Sequence, residues 1–455
     1  MLYQPDTIVA LSTAPGRGAI GVIRISGPAA LELLQRLISE RDYDPAPNVL
    51  SLRALFDPAT GQQLDESLVC FFKAPHSFTG EDVVELQCHG SPVVLRTIVD
   101  AALTLGARMA DPGEFSLRAV ANGRMTLTEA EAIRDLISAH TDAAVRQATR
   151  QLKGEISHRL QPAKDQLLEI IVRLESSLEF VEDDLPSTDQ NRMLAALGQL
   201  KTDLAKLART FNQGRLIREG LRVTLLGRPN VGKSSIFNML LGHGRSIVTD
   251  IPGTTRDTIT EALSFDGIPV VLTDTAGIRI SGDQIEAMGV DRTKREAADS
   301  DLLIVVLDGS QALTDEDQQV LDDALAHRHL VAINKNDLPG FTIDGIKLES
   351  TAPVVSVSAR TEAGLEQLRA AILEPFTNGS ANSEGLLITN ARHHDLLQRS
   401  VDAISSSVSL LEQRASEELI LVGLHNALRY LDEITGETTS DEILGQIFAT
   451  FCIGK

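Results

Sequence analysis

The first 120 residues alternate short apolar runs with prolines and glycines, a pattern that predicts strands joined by turns. The predicted strands are Thr7–Ala10, Ala19–Ser26, Ser67–Lys73 and Glu81–Gln87. One longer stretch, Pro92–Leu105, is predicted to be a helix. This part of the chain is therefore predicted to form an α+β domain.

The pattern changes to long helices from Thr126 onward. Apolar residues there recur at steps of 3, 3, 4, 3 and 4, which places them on one helical face. They are Leu194, Leu197, Leu200, Leu204, Leu207 and Phe211. The segment Gln213–Gly220 that follows is typical of a linker.

Apolar runs then alternate with helical stretches, which predicts a doubly wound, mostly parallel sheet. The strand candidates are Arg222–Leu226, Val270–Thr273, Leu302–Leu307, Leu330–Ile333 and Val354–Val357. Beyond a linker-like segment, Asn378–Ser383, the chain is helical again. We therefore expect four segments: 1–120, the first part of a helical domain at 121–216, an inserted α/β domain at 217–378, and the second helical part at 379–455.

Composition narrows the class of protein. A chain of 455 residues predicts more than one domain. Its apolar runs are too short to cross a bilayer, and the N-terminus lacks the pattern of a signal peptide. Three scattered cysteines, Cys70, Cys88 and Cys452, favour neither a disulfide framework nor a zinc site. These features are typical of a reduced, cytoplasmic protein.

The formal net charge of −21 predicts good solubility and weak binding of nucleic-acid backbones by the bulk surface. A nucleic-acid role would therefore require a local basic patch or a basic partner.

The most informative motif is Gly227-Arg228-Pro229-Asn230-Val231-Gly232-Lys233-Ser234. It follows a predicted strand and opens a helix, which is the context of a phosphate-binding P-loop. Lys233 is predicted to neutralise the β- and γ-phosphates, and Ser234 to bind Mg²⁺. A chance glycine-rich turn is the alternative, and the flanking elements argue against it.

Three further motifs follow in the order expected of a GTPase. Asp274-Thr275-Ala276-Gly277 ends a strand, where Asp274 is predicted to hold Mg²⁺ through water and Gly277 to meet the γ-phosphate. Asn334-Lys335-Asn336-Asp337 is predicted to select guanine, because adenine would leave the carboxylate of Asp337 unpaired. Ser358-Ala359-Arg360 suits the loop that meets guanine O6. The motifs together predict hydrolysis of GTP.

The residue after Gly277 is Ile278, which cannot orient the attacking water as a glutamine does in Ras-like enzymes. Asp283 and Glu286 are the nearby acidic candidates, with solvated loop charges as the alternative reading. Thr254-Thr255-Arg256-Asp257 lies where a switch threonine closes on Mg²⁺, with an ordinary surface loop as the alternative.

Two other features of the sequence bear on function. Gly16-Arg17-Gly18-Ala19-Ile20-Gly21 fits a dinucleotide fingerprint, but a strand follows where that motif requires a helix, so we reject a dinucleotide site. Cys452, close to the chain end, is either a frayed or buried small residue or a reactive thiol.

These residues resemble the MnmE (TrmE) family of tRNA modification GTPases over the whole chain. The resemblance rests on the GTPase motifs and on five others: Ala14-Pro15-Gly16-Arg17-Gly18, Arg24-Ile25-Ser26-Gly27, Ser77-Phe78-Thr79-Gly80-Glu81-Asp82, Pro112-Gly113-Glu114-Phe115-Ser116 and the terminal Phe451-Cys452-Ile453-Gly454-Lys455.

The resemblance implies an N-terminal domain like tetrahydrofolate-binding domains, a split helical domain and an inserted G domain. It implies a homodimer that joins MnmG, an FAD protein, in a heterotetramer. Together they would add an aminomethyl or carboxymethylaminomethyl group at C5 of the wobble uridine of certain tRNAs. The one-carbon donor would be 5,10-methylenetetrahydrofolate or 5-formyltetrahydrofolate.

The resemblance also implies roles for single residues. Folate contacts fall on Arg24, Glu81, Lys455 and Arg124, where Arg124 replaces the usual lysine and so changes the geometry. Potassium ligands fall on Asn230, Thr249, Ile251 and Thr254, and magnesium ligands on Ser234 and Thr255. Glu286 matches the catalytic, water-positioning glutamate, and Cys452 matches a candidate functional thiol.

The candidate GTP-binding residues lie in the P-loop, the switch segments and the two base loops. They are Asn230, Val231, Gly232, Lys233, Ser234, Ser235, Thr249, Asp250, Ile251, Pro252, Gly253, Thr254, Thr255, Asp274, Thr275, Ala276, Gly277, Asn334, Lys335, Asp337, Ser358, Ala359 and Arg360.

A ribosome-assembly or signalling GTPase that acts by nucleotide-dependent binding is the alternative, since such proteins share the G domain. They usually append a basic RNA-binding module, whereas neither flank here is strongly basic, and they lack the terminal FCIGK.

Overall fold

A computed structural model of the chain describes residues 6–179, 187–243, 245–246, 259–274, 298–340, 352–377, 385–438 and 441–454. The chain divides into two compact units. The first comprises Met1–Arg134, Gln151–Glu179 and Leu421–Lys455, and the second comprises Asp135–Arg150 and Phe180–Ile420. Among the described helices, none combines the length and the apolar composition that a bilayer span requires.

The first unit contains a six-stranded sheet. Its strands are β1 (Ile8–Leu11), β2 (Ile20–Ser26), β3 (Ser51–Phe56), β4 (Gln63–Phe72), β5 (Val83–His89) and β6 (Arg108–Met109). They lie in the order β3-β4-β5-β2-β1-β6, and each neighbouring pair is antiparallel except β1 with β6.

Two helices, α1 (Ala30–Leu37) and α2 (Pro92–Thr104), pack on one face of this sheet. Alternate residues of β2, Ile23 and Ile25, are buried in that core, as period-2 side-chain alternation requires. The opposite face near β1 packs against Phe115 of a third helix, α3 (Glu114–Ala121).

The helices that follow in the chain are α4 (Leu127–Ile137), α5 (Asp142–Leu152), α6 (Glu155–Glu179), α7 (Ser187–Arg209) and α8 (Phe211–Glu219).

The second unit contains a seven-stranded sheet. Its strands are β7 (Leu221–Leu226), β8 (Arg245–Ser246), β9 (Ile259–Phe265), β10 (Ile268–Asp274), β11 (Leu302–Asp308), β12 (His329–Asn334) and β13 (Val354–Ser356). The order is β13-β12-β11-β7-β10-β9-β8. The strands from β13 to β10 are parallel, and β9 runs antiparallel to β10 and β8.

Helices cover both faces of this sheet. They are α9 (Lys233–His243), α10 (Asp315–Ala324) and α11 (Leu365–Thr377). Central strand β11 shows the arrangement directly: Leu302, Ile304 and Val306 enter one core, whereas the alternate residues enter the other. A strand buried on both faces is apolar throughout, and this confirms the predicted doubly wound, mostly parallel sheet.

Among the described residues after 385, the chain forms α12 (Ala391–Glu412), α13 (Glu417–Thr435) and α14 (Asp441–Phe448). Within the first unit, Lys164 of α6 forms 2.7 Å ion pairs with Asp432 and Glu437, while Phe448 and Phe451 pack against Leu127.

Every predicted strand lies at an observed strand, with ends shifted by a few residues. The prediction of a linker at Gln213–Gly220 is wrong, because helix α8 spans Phe211–Glu219. Gly214 looks like a helix breaker in the sequence, but a Cβ built there would lie 2.1 Å from the carbonyl oxygen of Ile388. Close packing of the helix on that backbone therefore favours glycine. The four segment boundaries remain a prediction.

Candidate functional site

The predicted P-loop connects β7 to α9 and adopts backbone conformations that favour glycine. Gly227 has φ +149° and Gly232 has φ +101°. A Cβ on Gly232 would lie 2.2 Å from Nδ2 of Asn334, and one on Gly227 would lie 2.5 Å from the carbonyl oxygen of Val306. The loop therefore closes tightly on its own sheet, and glycine is required at both positions.

Lys233 and Ser234 begin helix α9 beside the loop. The buried Nζ of Lys233 donates to the carbonyl oxygens of Gly227 (2.6 Å) and Arg228 (2.9 Å). Burial lowers the pKa of Lys233, and the charge of Asp274 opposes that shift. The ammonium is thus held inside the loop by weak carbonyl partners, which phosphate oxygens can replace.

Ser234 Oγ donates to Oδ2 of Asp274 at 2.7 Å. Asp274 ends β10 and is 1% exposed. A hydroxyl and a carboxylate so close together at the start of a helix are oxygen ligands of the type that Mg²⁺ prefers. The two residues therefore fit a magnesium site.

The two predicted base loops are joined by side-chain hydrogen bonds. Asn334 donates from Nδ2 to the Val231 carbonyl oxygen (2.9 Å), and its Oδ1 accepts from the amide of Ala359 (3.1 Å). Asp337 Oδ1 accepts from Ser358 Oγ at 2.7 Å. The structure thus brings the P-loop, the 334–337 loop and the 358–360 loop together at the carboxyl ends of parallel strands, where ligands bind in open α/β sheets.

Sequence reasoning missed two acidic partners of this site. Asp308, at the end of β11, accepts from Nζ of Lys335 at 2.6 Å. Burial acts to raise the pKa of Asp308, but hydrogen bonds from Lys335 and Ser310 outweigh it and hold the pKa below its usual value. The signal available in the sequence was an aspartate directly after the predicted strand Leu302–Leu307.

The second missed partner is Asp317, at the start of α10. The P-loop residue Arg228 donates from Nε to both of its carboxylate oxygens at 3.0 Å. Asp317 also forms a reciprocal capping box with Thr314. Nothing in the one-dimensional pattern pairs these distant residues.

Part of the predicted site lies outside the described residues. These positions are Thr249, Asp250, Ile251, Pro252, Gly253, Thr254, Thr255, Thr275, Ala276, Gly277, Asp283, Glu286 and Lys455.

In the first unit, three of the residues matched to folate contacts surround one loop, 77–81. The guanidinium of Arg24 lies 5.3 Å from the ring centroid of Phe78. Arg124 donates from Nε to the Ser77 carbonyl oxygen at 3.1 Å, and Glu81 ends the loop. The structure therefore places Arg24, Glu81 and Arg124 around the same short segment.

Arg24 and Glu81 are each held by a side chain that the sequence did not indicate. Nε and Nη2 of Arg24 donate to Oε1 of Glu85 at 2.9 and 2.7 Å. Oε2 of Glu81 accepts from Ser26 Oγ at 2.7 Å, and Nη1 of Arg118 donates to both Glu81 oxygens at 3.2 Å.

The terminal motif lies against the start of the same sheet. Gly454, with φ +93°, accepts through its carbonyl oxygen from Ser12 Oγ at 3.2 Å. A Cβ there would lie 2.3 Å from the Leu11 carbonyl oxygen. Leu11 pairs with Ile23, the neighbour of Arg24 on β2. Cys452 is exposed beside this anchored segment, whereas Cys70 and Cys88 are buried.

The phosphate loop, the paired hydroxyl and carboxylate and the base loops, mounted on a mostly parallel sheet, define a P-loop GTPase. Comparison with known proteins narrows this class. Family models described as the GTP-binding protein TrmE N-terminus and the MnmE helical domain match residues 7–124 and 127–452, respectively.

Relatives match over essentially the full length. The tRNA modification GTPase MnmE of Koribacter versatilis (strain Ellin345) is 44% identical over 99% of both chains. Those of Alkaliphilus oremlandii (strain OhILAs) and Aquifex aeolicus (strain VF5) are 41% and 40% identical, with at least 99% of each chain covered. The chain therefore belongs to the MnmE family of tRNA modification GTPases.

Proposed function

We propose that this enzyme hydrolyses GTP in a K⁺-dependent reaction and, with the flavoprotein MnmG, modifies C5 of the wobble uridine of certain tRNAs with a tetrahydrofolate as one-carbon donor. The single observation that supports it most is the coexistence, in one chain, of a nucleotide site and a second polar site on the sheet against which the family's terminal motif packs.

The nucleotide site supports the hydrolytic part. Lys233 provides a buried positive charge for the β- and γ-phosphates, and Ser234 with Asp274 provides oxygen ligands for Mg²⁺. Asp337 provides a carboxylate that accepts from the guanine N1–H and 2-amino groups. Four residues are proposed as potassium ligands, and Asn230 is the one that the structure describes. It lies in the P-loop with φ +66°.

The first unit supports the folate part. A glutamate and two arginines surround loop 77–81, so the site offers an acceptor for N–H groups of a pterin and donors for carboxylates. Lys455, the fourth residue of the proposed set, lies outside the described residues and directly follows Gly454, which packs against β1. Arg24, Glu81, Arg124 and Lys455 are therefore proposed to bind the folate.

An exposed apolar face supports the homodimer. Leu52 and Leu68 are cross-strand partners on β3 and β4, and they are 54% and 39% exposed. Ile20 of β2 lies on the same face of the sheet and is 62% exposed. Several exposed apolar side chains on one sheet face are typical of a protein interface, so we propose that this face pairs with a second copy.

The formal net charge of −21 fits a protein that shares tRNA binding with a partner. We propose that MnmG contributes much of the RNA affinity, that the complex is a heterotetramer, and that it acts in the cytoplasm.

The test is mass spectrometry of the wobble uridine in tRNA from cells that lack this gene and carry one of three copies: wild type, Ser234→Ala or Glu81→Ala. We expect wild type alone to restore the modification. Purified Glu81→Ala should still hydrolyse GTP, whereas Ser234→Ala should not, and wild-type hydrolysis should be faster in KCl than in NaCl of equal ionic strength.

An unmodified wobble position in cells that carry the wild-type copy would contradict the proposed tRNA role. Equal rates in the two salts, with saturating Mg²⁺ and GTP, would contradict the potassium site alone.

A further inference from the structure

Arg118, on helix α3, is a fully buried guanidinium surrounded by carboxylates. Its side chain is 0% exposed and forms ion pairs with Asp6, Glu81 and Glu114. It also donates from Nη1 to the backbone carbonyl oxygen of Asp6 at 2.7 Å. A buried charge is tolerated only when it is paired and hydrogen-bonded, and here several of the guanidinium donors are used.

Two of these carboxylates fix the orientation of Arg118. Nε and Nη2 of Arg118 both donate to Oε1 of Glu114, at 3.3 and 2.8 Å, and Nη2 also meets Asp6. Burial acts to lower the pKa of Arg118, but the hydrogen bonds and charges of its partners outweigh it and raise the pKa. The guanidinium plane is therefore set by groups other than Glu81.

Nη1 is the part of Arg118 that reaches Glu81. It lies 3.2 Å from both carboxylate oxygens of Glu81. Ser26 Oγ donates to Oε2 of the same carboxylate and is itself hydrogen-bonded to Thr79. Glu81 remains 14% exposed, whereas Arg118, Ser26 and Thr79 are fully buried. The carboxylate is thus held from its buried side, with its remaining acceptor capacity toward the surface.

We propose that Arg118 is a positioning residue that fixes the Glu81 carboxylate for hydrogen bonding to the pterin ring of a tetrahydrofolate. This inference rests on the proposed folate site. A carboxylate that is already oriented loses less conformational freedom when a ligand binds, so its hydrogen bonds contribute more to affinity.

The proposal also gives a role to the Pro112–Ser116 motif. Glu114 starts helix α3 and is 4% exposed. Gly113 before it has φ +68°, and a Cβ there would lie 2.7 Å from the Phe448 carbonyl oxygen. The glycine allows the tight turn at which α3 begins with Glu114. The i,i+4 spacing of that helix then places Glu114 beside Arg118, so the motif acts on Glu81 through Arg118.

The test is a double-mutant cycle on the full-length protein, with 5-formyltetrahydrofolate binding measured by titration calorimetry. We expect Glu81→Gln to weaken binding roughly 10- to 100-fold and Arg118→Lys to weaken it roughly tenfold. Because Arg118 acts through Glu81, Arg118→Lys should have no further effect in the Glu81→Gln background.

Arg108→Lys is the matched control. Arg108 pairs with Asp6 and Glu114 as Arg118 does, but neither its ion pairs nor its hydrogen bonds include Glu81. The affinity of the Arg108→Lys variant for 5-formyltetrahydrofolate should stay within about twofold of wild type. If Arg118→Lys does not fold, Glu114→Gln, which keeps an acceptor oxygen, should weaken binding roughly three- to tenfold.

Additive effects of Arg118→Lys and Glu81→Gln, or an equal loss in Arg108→Lys, would show a merely structural role and overturn the proposal. Wild-type affinity in Glu114→Gln would overturn it as well. A wild-type protein that does not bind 5-formyltetrahydrofolate would overturn the folate site itself and, with it, this inference.

Discussion

The nucleotide site of the second unit and the polar site of the first unit are built in different ways. The nucleotide site is formed by short motifs at strand ends, and much of its geometry is backbone: positive φ at Gly227 and Gly232, and carbonyls that hold Lys233. The polar site is formed by side chains far apart in sequence, tied together by the buried charges of Arg118 and Glu114.

This difference predicts which substitutions each site tolerates. Where the backbone forms the site, an added methyl group disrupts it, and the ion pairs matter less. Where side chains form the site, loss of one charge reorients its neighbours, and the stability that the ion pairs contribute depends on pH. Variants at Glu286, Asp337, Gly232 and Glu114 test this contrast.

The largest effect is expected from Glu286, which is predicted to belong to the nucleotide site and lies outside the described residues. Ile278 offers no acceptor for the attacking water, so Glu286 is predicted to position it, through a bridging water, with K⁺, Mg²⁺ and Lys233 offsetting the repulsion. Glu286→Ala should slow single-turnover GTP hydrolysis by roughly 10²–10⁴-fold without weakening GTP binding.

Asp283→Ala is the control and should hydrolyse GTP at nearly the wild-type rate. Loss of activity in that variant instead would move the assignment to Asp283, and full activity in both would require a different group to position the water.

The second effect concerns Asp337, a carboxylate of the nucleotide site that another side chain orients. Asp337 is hydrogen-bonded to Ser358, so its carboxylate is fixed toward the base loop. Asp337→Asn should weaken GTP binding roughly 100-fold, because two hydrogen bonds to an ionised acceptor are lost. Binding of xanthosine triphosphate should strengthen, since an amide can donate to its 2-oxo group; competition with a fluorescent nucleotide measures both.

Asp315→Asn, at an exposed position of α10, should leave both affinities unchanged. Comparable binding of ATP and GTP by the wild type would refute the assignment of the 334–337 loop.

The third effect tests the backbone character of the nucleotide site directly. In Gly232→Ala the new Cβ would meet Asn334 Nδ2 at 2.2 Å, and Asn334 cannot retreat without losing its hydrogen bonds to Val231 and Ala359. GTP affinity should fall roughly tenfold. Gly242→Ala, on the following helix, meets no atom within 4 Å and should bind GTP normally with slightly higher stability. Equal GTP affinities of Gly232→Ala and Gly242→Ala would contradict the inference that the backbone forms the nucleotide site.

The same difference explains how much the sequence predicts. Period-2 runs and continuous apolar runs predicted most of both sheets, and motifs at strand ends predicted Lys233, Ser234 and Asn334, because chemistry and local structure coincide there. Resemblance, rather than pattern, indicated Arg24 and Glu81. Arg118 lies in a helix that the pattern did not predict. Its contacts with Asp6, before β1, and with Glu81, before β5, arise from three-dimensional packing, which sequence spacing does not encode.

The smallest effect is expected from Glu114, and it tests the charge-dependent character of the polar site. Burial acts to raise the pKa of Glu114, but hydrogen bonds from Arg108, the Asp111 amide and Arg118 hold it below the usual 4.5. A carboxylate with a lowered folded-state pKa stabilises the fold above its unfolded pKa, and that contribution disappears as pH falls through the folded value. Glu114→Gln should therefore lower the free energy of unfolding by about 1 kcal/mol at pH 7.

The difference between wild type and Glu114→Gln should begin to shrink as pH falls below about 4.5, because the carboxyl of the unfolded chain is protonated there, and it should vanish once pH falls through the lower folded-state pKa. Denaturant unfolding at pH 7, 5 and 4 measures this. Glu32→Gln replaces an exposed glutamate in the first turn of α1 and should differ little from wild type at any of these pH values. A Glu114→Gln deficit that stays constant down to pH 4 would show that packing, rather than charge, holds this site, and the contrast with the nucleotide site would then fail.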